Sequence, residues 1–189
     1  MSDLAAVAIQ RLRGAGVRLK RGLSDRELAR LEGTFEFRFG PEHRRLLSTA
    51  LPVGPSWVDW RRAPKDELRA RLAWPTDGVA AYLRTSGFWP SSWGERPDDP
   101  ERREGAARER MEAVPRLVPL FSHRYLTADP QYVPSPVFSV YGTDVIYYGD
   151  NLVDYVAREF MAPSPSAPPK RQRVPFWSDL AEGTDISEI

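Results

Sequence analysis

The stretch PVFSVYGTDVIYYGD, Pro136 to Asp150, constrains what this chain can fold into more than any other. Val137 to Tyr141 and Asp144 to Tyr148 are runs of β-branched and aromatic residues, and only Gly142-Thr143 separates them. Glycine at the first central position supplies the positive φ that a type II′ turn demands, so the stretch reads as a β-hairpin. Asn151 follows at once as a helix cap, and Leu152, Tyr155, Val156 and Phe160 recur at helical spacing behind it. Pattern, turn and cap agree on a ribbon with a backing helix at the heart of a compact mixed domain.

Upstream, Leu4, Val7, Ala8 and Leu12 mark one side of a short helix that Gly14 and Gly16 stop. Ser24 and Glu27 form a capping-box pair for a second helix over about 24–32, whose apolar face is Leu28 and Leu31. Phe35, Phe37 and Phe39 alternate with Glu36 and Arg38, the period of a half-buried strand. Pro41 suits the first turn of a third helix carrying Leu46, Leu47 and Ala50. Lys65 to Ala73 predicts a helix that Trp74-Pro75 closes, because proline disfavours helical geometry in its predecessor, and Val79 to Leu83 then predicts a strand. Residues 87–100 read as an ordered loop laying Phe88, Trp89 and Trp93 onto the body. Asp99-Pro100 opens a helix with Ala107, Met111 and Val114 inward and Glu104 and Arg108 paired outside, and Pro115 closes it.

Three parts follow: a globular domain over 1–162, with an N-terminal helix and basic segment over 1–22; a Pro/Ser-rich spacer over 163–173; and a C-terminal segment over 174–189. In the last, Val174, Phe176 and Trp177 are able to dock on the core and an acidic tail follows. A chain of 189 residues suffices for one sizeable core. The fold class expected is α+β, a mainly antiparallel sheet with helices packed against it. No cysteine is present, which removes disulfides and thiolate chemistry and favours a cytoplasmic chain. No run of about 18 apolar residues occurs, so no membrane partner is expected.

Chemistry-bearing patterns are sparse. The two histidines, His43 and His123, are far apart and lack a second ligand at metal spacing, so both read as structural or surface residues. Asp144, Asp150 and Asp154 suggest a cation site in composition, but Asp144 flanks a turn while Asp150 and Asp154 face a helix start. Asp59 between Trp57 and Trp60 resembles a sugar site in composition only, since indoles so placed usually serve a core. RGAGVRLKRG lacks the Lys-Ser/Thr of a phosphate loop. No catalytic residue, metal ligand or cofactor is assigned. Arg11, Arg13, Arg18, Lys20 and Arg21 form a basic run without a nucleic-acid-binding motif, and a formal charge of +1 gives no general pull toward polyanions, so nucleic acid is not the expected partner.

Four segments in order carry a family resemblance: GLSDRELARLEGTFEFRFGPEHRRLL, WVDWR, LVPLFSHRYL and PVFSVYGTDVIYYGDNLVDYVAREF. Over roughly Ser24 to Phe160 the chain resembles the SUKH superfamily, the group containing the fungal cell-wall-synthesis regulators of the Smi/Knr type, and is most similar to its long bacterial members. The matching positions in the opening segment are Leu28, Leu31, Glu32, Pro41, Leu46 and Leu47. The resemblance implies an α+β domain without a catalytic motif, and an immunity-type protein that neutralises a bacterial toxin by stoichiometric binding. The alternative it leaves open is a regulatory or scaffolding protein with no toxin partner. For a protein partner, the contact residues assigned are Trp57, Trp60, Trp89 and Trp93 as an aromatic face, with Asp179 and Glu182 at the start of the acidic tail. Past Arg173 the chain has only acidic charges, which either steer a basic partner or belong to a frayed terminus.

Overall fold

A computed structural model describes residues 3–161 and 171–183. In chain order the elements are α1 (Leu4–Gly14), β1 (Leu19–Arg21), α2 (Asp25–Thr34), α3 (Pro41–Thr49), β2 (Ala50–Pro52), α4 (Lys65–Thr85), α5 (Pro100–Met111), β3 (Leu117–Phe121), β4 (Arg124–Thr127), β5 (Val137–Tyr141), β6 (Asp144–Gly149), α6 (Leu152–Phe160) and α7 (Trp177–Glu182). The strands make an antiparallel meander in the order β3-β4-β5-β6 and a separate antiparallel pair, β1 with β2. The fold is α+β.

The hairpin is built as its residues dictate. Tyr141 pairs with Asp144 and Val140 with Val145. Gly142 takes φ 61° while Thr143 keeps negative φ, the combination of a type II′ turn. Asn151 Oδ1 then accepts from the amides of Val153 (2.9 Å) and Asp154 (3.0 Å), starting α6. Successive strand residues point to opposite faces, and both faces are covered. Tyr125, Phe138, Val140 and Val145 pack with Val79 and Leu83 of α4, Met111 of α5 and Trp177 of α7. Leu126 and Val137 pack instead with Ala8 and Leu12 of α1 and Tyr155 and Val156 of α6. A third cluster joins Leu28 and Leu31 of α2 to Phe37, Phe39, Trp60, Leu68 and Leu72. Pro119, which has no amide to donate, sits in the edge strand β3, where a proline costs the sheet least.

Three local expectations are corrected. The helix expected to end at Pro75 runs through it to Thr85, so Val79 to Leu83 is helix and not strand. Proline removes the N–H that the Arg71 carbonyl would accept, and the Tyr125 hydroxyl supplies a donor there instead, at 3.3 Å. With that carbonyl satisfied, Leu68, Leu72, Val79 and Leu83 bury one continuous stripe. Phe35, Phe37 and Phe39 are buried but form no strand. Glu32, itself buried, gathers the loop: its carbonyl accepts from the Phe37 amide and its carboxylate from the Phe39 amide, both at 3.1 Å. Glu36 turns to φ 53°, and Arg116 binds the carbonyls of Phe35 and Glu36, which takes those two acceptors out of any sheet. In α1 the buried stripe is Ala5, Ala8, Ile9 and Leu12, with Leu4 and Val7 only half-buried: the period is as expected and its phase is shifted.

The C-terminal segment docks. Val174, Trp177 and Leu180 belong to the same core as Phe138 and Val145, and the Trp177 indole donates to the Pro115 carbonyl at 2.7 Å. Within the stretch 163–173 taken as a spacer, Arg171 and Arg173 are fastened to the body. Arg171 Nε lies 2.7 Å from the Asp150 carboxylate, and Arg173 pairs with Asp179. Residues 163–170 of the spacer, and Asp185 and Glu188 of the tail, lie outside the described residues. Among the described residues no helix is long and apolar enough to cross a membrane.

Candidate partner-binding face

The indoles expected to form an aromatic face are mostly interior. Trp57 is buried, stacked on Phe160 (5.6 Å, 11° between planes) and edge-on to Phe121. Trp60 is 2% exposed and packs edge-on to Phe39, with His43 beyond. Trp93 stacks on Phe176 (5.3 Å, 6°), clamping the C-terminal segment. Trp89 is half-buried, edge-on to Trp93, with its indole donating to the Gly94 carbonyl at 3.1 Å. The two carboxylates are also engaged. Asp179 accepts from the Phe176 amide (2.9 Å) and pairs with Arg173, while Glu182 accepts from the Tyr147 hydroxyl (2.9 Å). These six residues hold the fold together and do not form one surface.

Other candidates are structural as well. Asp59 accepts from the amides of Arg61 and Arg62 and so shapes its own turn. Asp144, Asp150 and Asp154 do not converge: Asp150 is 1% exposed beside Arg171, and Asp154 accepts from the Asp150 amide and pairs with Arg158. Among the described residues no three His, Asp or Glu side chains are grouped so as to hold a metal ion. His43 is buried against Phe39 and Trp60, both ring nitrogens lack partners, and desolvation pulls its pKa down to about 3.

A different face is aromatic and open. Glu67, Ala70, Arg71 and Trp74 recur at i, i+3, i+4 and i+7, which places them on one side of α4. Opposite them stand the Ser122-His123 turn between β3 and β4, the loop residues Pro55 and Ser56, and Tyr141 at the hairpin tip. Together they enclose a groove of about 480 Å³ with Tyr125 at its floor. Trp74 is 45% exposed and Tyr141 is 69% exposed, with ring centroids 6.0 Å apart and planes 60° apart. Tyr82, also exposed, extends the apolar rim along α4 beside Gly142.

The base of this rim is firm. The Trp74 indole donates to the Val140 carbonyl at 3.4 Å, tying helix to hairpin. Gly78 and Gly142 let the two backbones approach so closely that a Cβ on Gly78 would lie 3.3 Å from Gly142 Cα. Glu67 and Arg71 pair at 3.0 Å, and Ser122, held at φ 48°, meets His123 Nδ1 at 3.0 Å. Burial first, and then Arg124, hold the His123 pKa below its usual value, with Glu159 opposing, so the ring faces the groove neutral at pH 7. Burial holds the Tyr125 phenol above its usual range, where it remains a hydrogen-bond donor.

Two signals for this face were present in the sequence. Phe138 and Val140 face inward, so period-two alternation puts Ser139 and Tyr141 outward. Extending the helical count from Glu67 through Pro75 would have put Trp74 on the polar side of α4. No family model, curated protein or solved structure matches this chain.

Proposed function

We propose that this chain is a non-catalytic protein-binding domain of the SUKH type, an immunity protein that neutralises a bacterial toxin in the cytoplasm by stoichiometric binding through the Trp74–Tyr141 face. One observation carries the reading: a chain that buries most of its indoles leaves Trp74 and Tyr141 exposed as neighbours on a rigid helix–hairpin junction. Tyr and Trp are the residues that dominate binding energy at protein interfaces, because they present large contact areas with few rotors to freeze. The polar groups lining the groove support the same reading. Among the groove residues Glu67 is the one acid, and Arg71 engages it, so no free carboxylate is left to orient His123.

The test is growth rescue and co-purification with the product of a toxin gene encoded beside this one. Rescue by the native chain and its loss in the Trp74→Ala/Tyr141→Ala double variant, folded as judged by circular dichroism, is the expected result. A double variant that rescues as well as the native chain removes this face from the reading. Failure of the native chain to bind or rescue against the adjacent toxin removes the reading itself.

A further inference from the structure

Among the described residues four aromatic rings already carry a guanidinium. Arg124 lies 3.7 Å above Tyr148 and Arg171 lies 4.1 Å above Tyr147, with longer approaches of Arg116 to Phe37 and Arg69 to Phe35. Among the described residues no cation of the chain lies over Trp74 or Tyr141. Indole is the strongest of the aromatic cation acceptors, and the attraction acts within about 6 Å of the ring centroid. Two exposed rings 6.0 Å apart and tilted by 60° form two walls of a cage open to solvent.

Charge beside the cage favours a cation. Asp144 is the cross-strand partner of Tyr141, so the two side chains stand on the same side of the hairpin, with Cβ atoms about 5 Å apart by sheet geometry. Asp144 is exposed and has no ion-pair partner among the described residues. Glu67 and Arg71 neutralise one another across one turn of α4, and His123 is neutral. One uncompensated carboxylate is left next to two bare rings.

We infer that the Trp74–Tyr141 cage, with Asp144 as its counter-charge, receives an arginine or lysine side chain projecting from the protein partner. The inference rests on the binding-module reading but is tested without the partner. Full-length ¹⁵N-labelled protein is titrated with N-acetyl-arginine N-methylamide while the indole resonances are followed, the Trp74 signal being assigned by its loss in Trp74→Phe. The citrulline analogue, which keeps the shape and loses the charge, and the glutamate analogue serve as controls.

The expected result is a saturable shift of the Trp74 indole with the arginine probe, about 3- to 30-fold weaker with citrulline, as a cation–π contact of its usual strength gives. Asp144→Asn weakens the arginine response and makes it less sensitive to salt, and Tyr141→Ala abolishes it while the buried indoles keep their native positions. No saturable shift, or equal shifts with the arginine, citrulline and glutamate probes, overturns the inference. A protein that binds the arginine probe but rescues against no toxin keeps the cation site and loses the immunity reading. A toxin bound through this face without charge selectivity in the probe series does the reverse.

Discussion

The Tyr125 hydroxyl donates to the Arg71 carbonyl at 3.3 Å, the oxygen on α4 that Pro75 leaves without its helical donor. One side chain from the sheet thus allows a proline inside a 21-residue helix, and α4 in turn carries one wall of the groove. Tyr125→Phe keeps the buried ring and removes only the donor. The expected cost is about 1–2 kcal/mol by urea unfolding, the penalty for an unsatisfied backbone acceptor. In a Pro75→Ala background, where residue 75 again donates its own amide, the same change costs several tenths of a kcal/mol or less. Equal costs in both backgrounds would show that the hydroxyl does not compensate for the proline.

His43 makes stability depend on pH. Its folded pKa is about 3 against an ordinary value of 6.5, because the ring is buried with no partner for either nitrogen. Below 6.5 the unfolded chain therefore binds a proton that the folded chain refuses, and stability falls with pH until about 3. Glu42, raised by burial, works in the opposite sense and His123, also lowered by burial, in the same sense, so the His43 share is read in the window from pH 7 to 5 as the difference from His43→Leu. Across it the loss is about 2 kcal/mol. Urea midpoints at the two pH values measure it, and His43→Leu flattens the dependence whatever it does to absolute stability.

What was legible in the sequence divides along a physical line. The hairpin, the Asn151 cap, the Ser24–Glu27 capping box and the Pro41 helix start are all settled by residues within a few positions of one another, and all occur as expected. Errors arose where a distant group changed the local outcome. Tyr125 reaches back to Arg71 to overrule Pro75, and Arg116 takes the carbonyls that Phe35 and Glu36 would have offered a neighbouring strand. The burial of the indoles assigned to a contact face has the same origin. Trp57, Trp60 and Trp93 each find a ring partner far away in sequence, Phe160, Phe39 and Phe176, and local composition does not reveal which indole has such a partner.

Asp150 and Arg171 join the two described parts of the chain. Asp150 is buried with no hydrogen-bond donor on either carboxylate oxygen, and Arg171, half-exposed, brings the only compensating charge within ion-pair distance among the described residues. Arg171→Gln strands that carboxylate at an expected cost of about 3 kcal/mol, the lower end for breaking a buried pair because one partner still sees water. Asp150→Asn in the same background removes the stranded charge and restores most of the loss. Chemical denaturation of the two singles and the double closes the cycle, and strict additivity would mean that the ion pair does not couple the segments.

The sharpest contrast is between two indoles. Trp60 is enclosed by Phe37, Phe39 and His43, so Trp60→Ala opens a cavity in the third core and is expected to cost about 3–5 kcal/mol. That is a large share of the 5–15 kcal/mol, roughly, that holds an ordinary domain. Trp74 loses one long hydrogen bond and a partial ring contact, so Trp74→Ala is expected to cost about 1 kcal/mol or less. Iodide separates them by exposure. Quenching of native fluorescence should arise chiefly from Trp74, fall sharply in Trp74→Phe and persist in Trp60→Phe. A partner that abolishes the share of quenching lost in Trp74→Phe, without changing the unfolding slope, would place its contact on the α4–hairpin junction, because the fully buried indoles yield to quencher only when the core opens and half-buried Trp89 still reports in that variant.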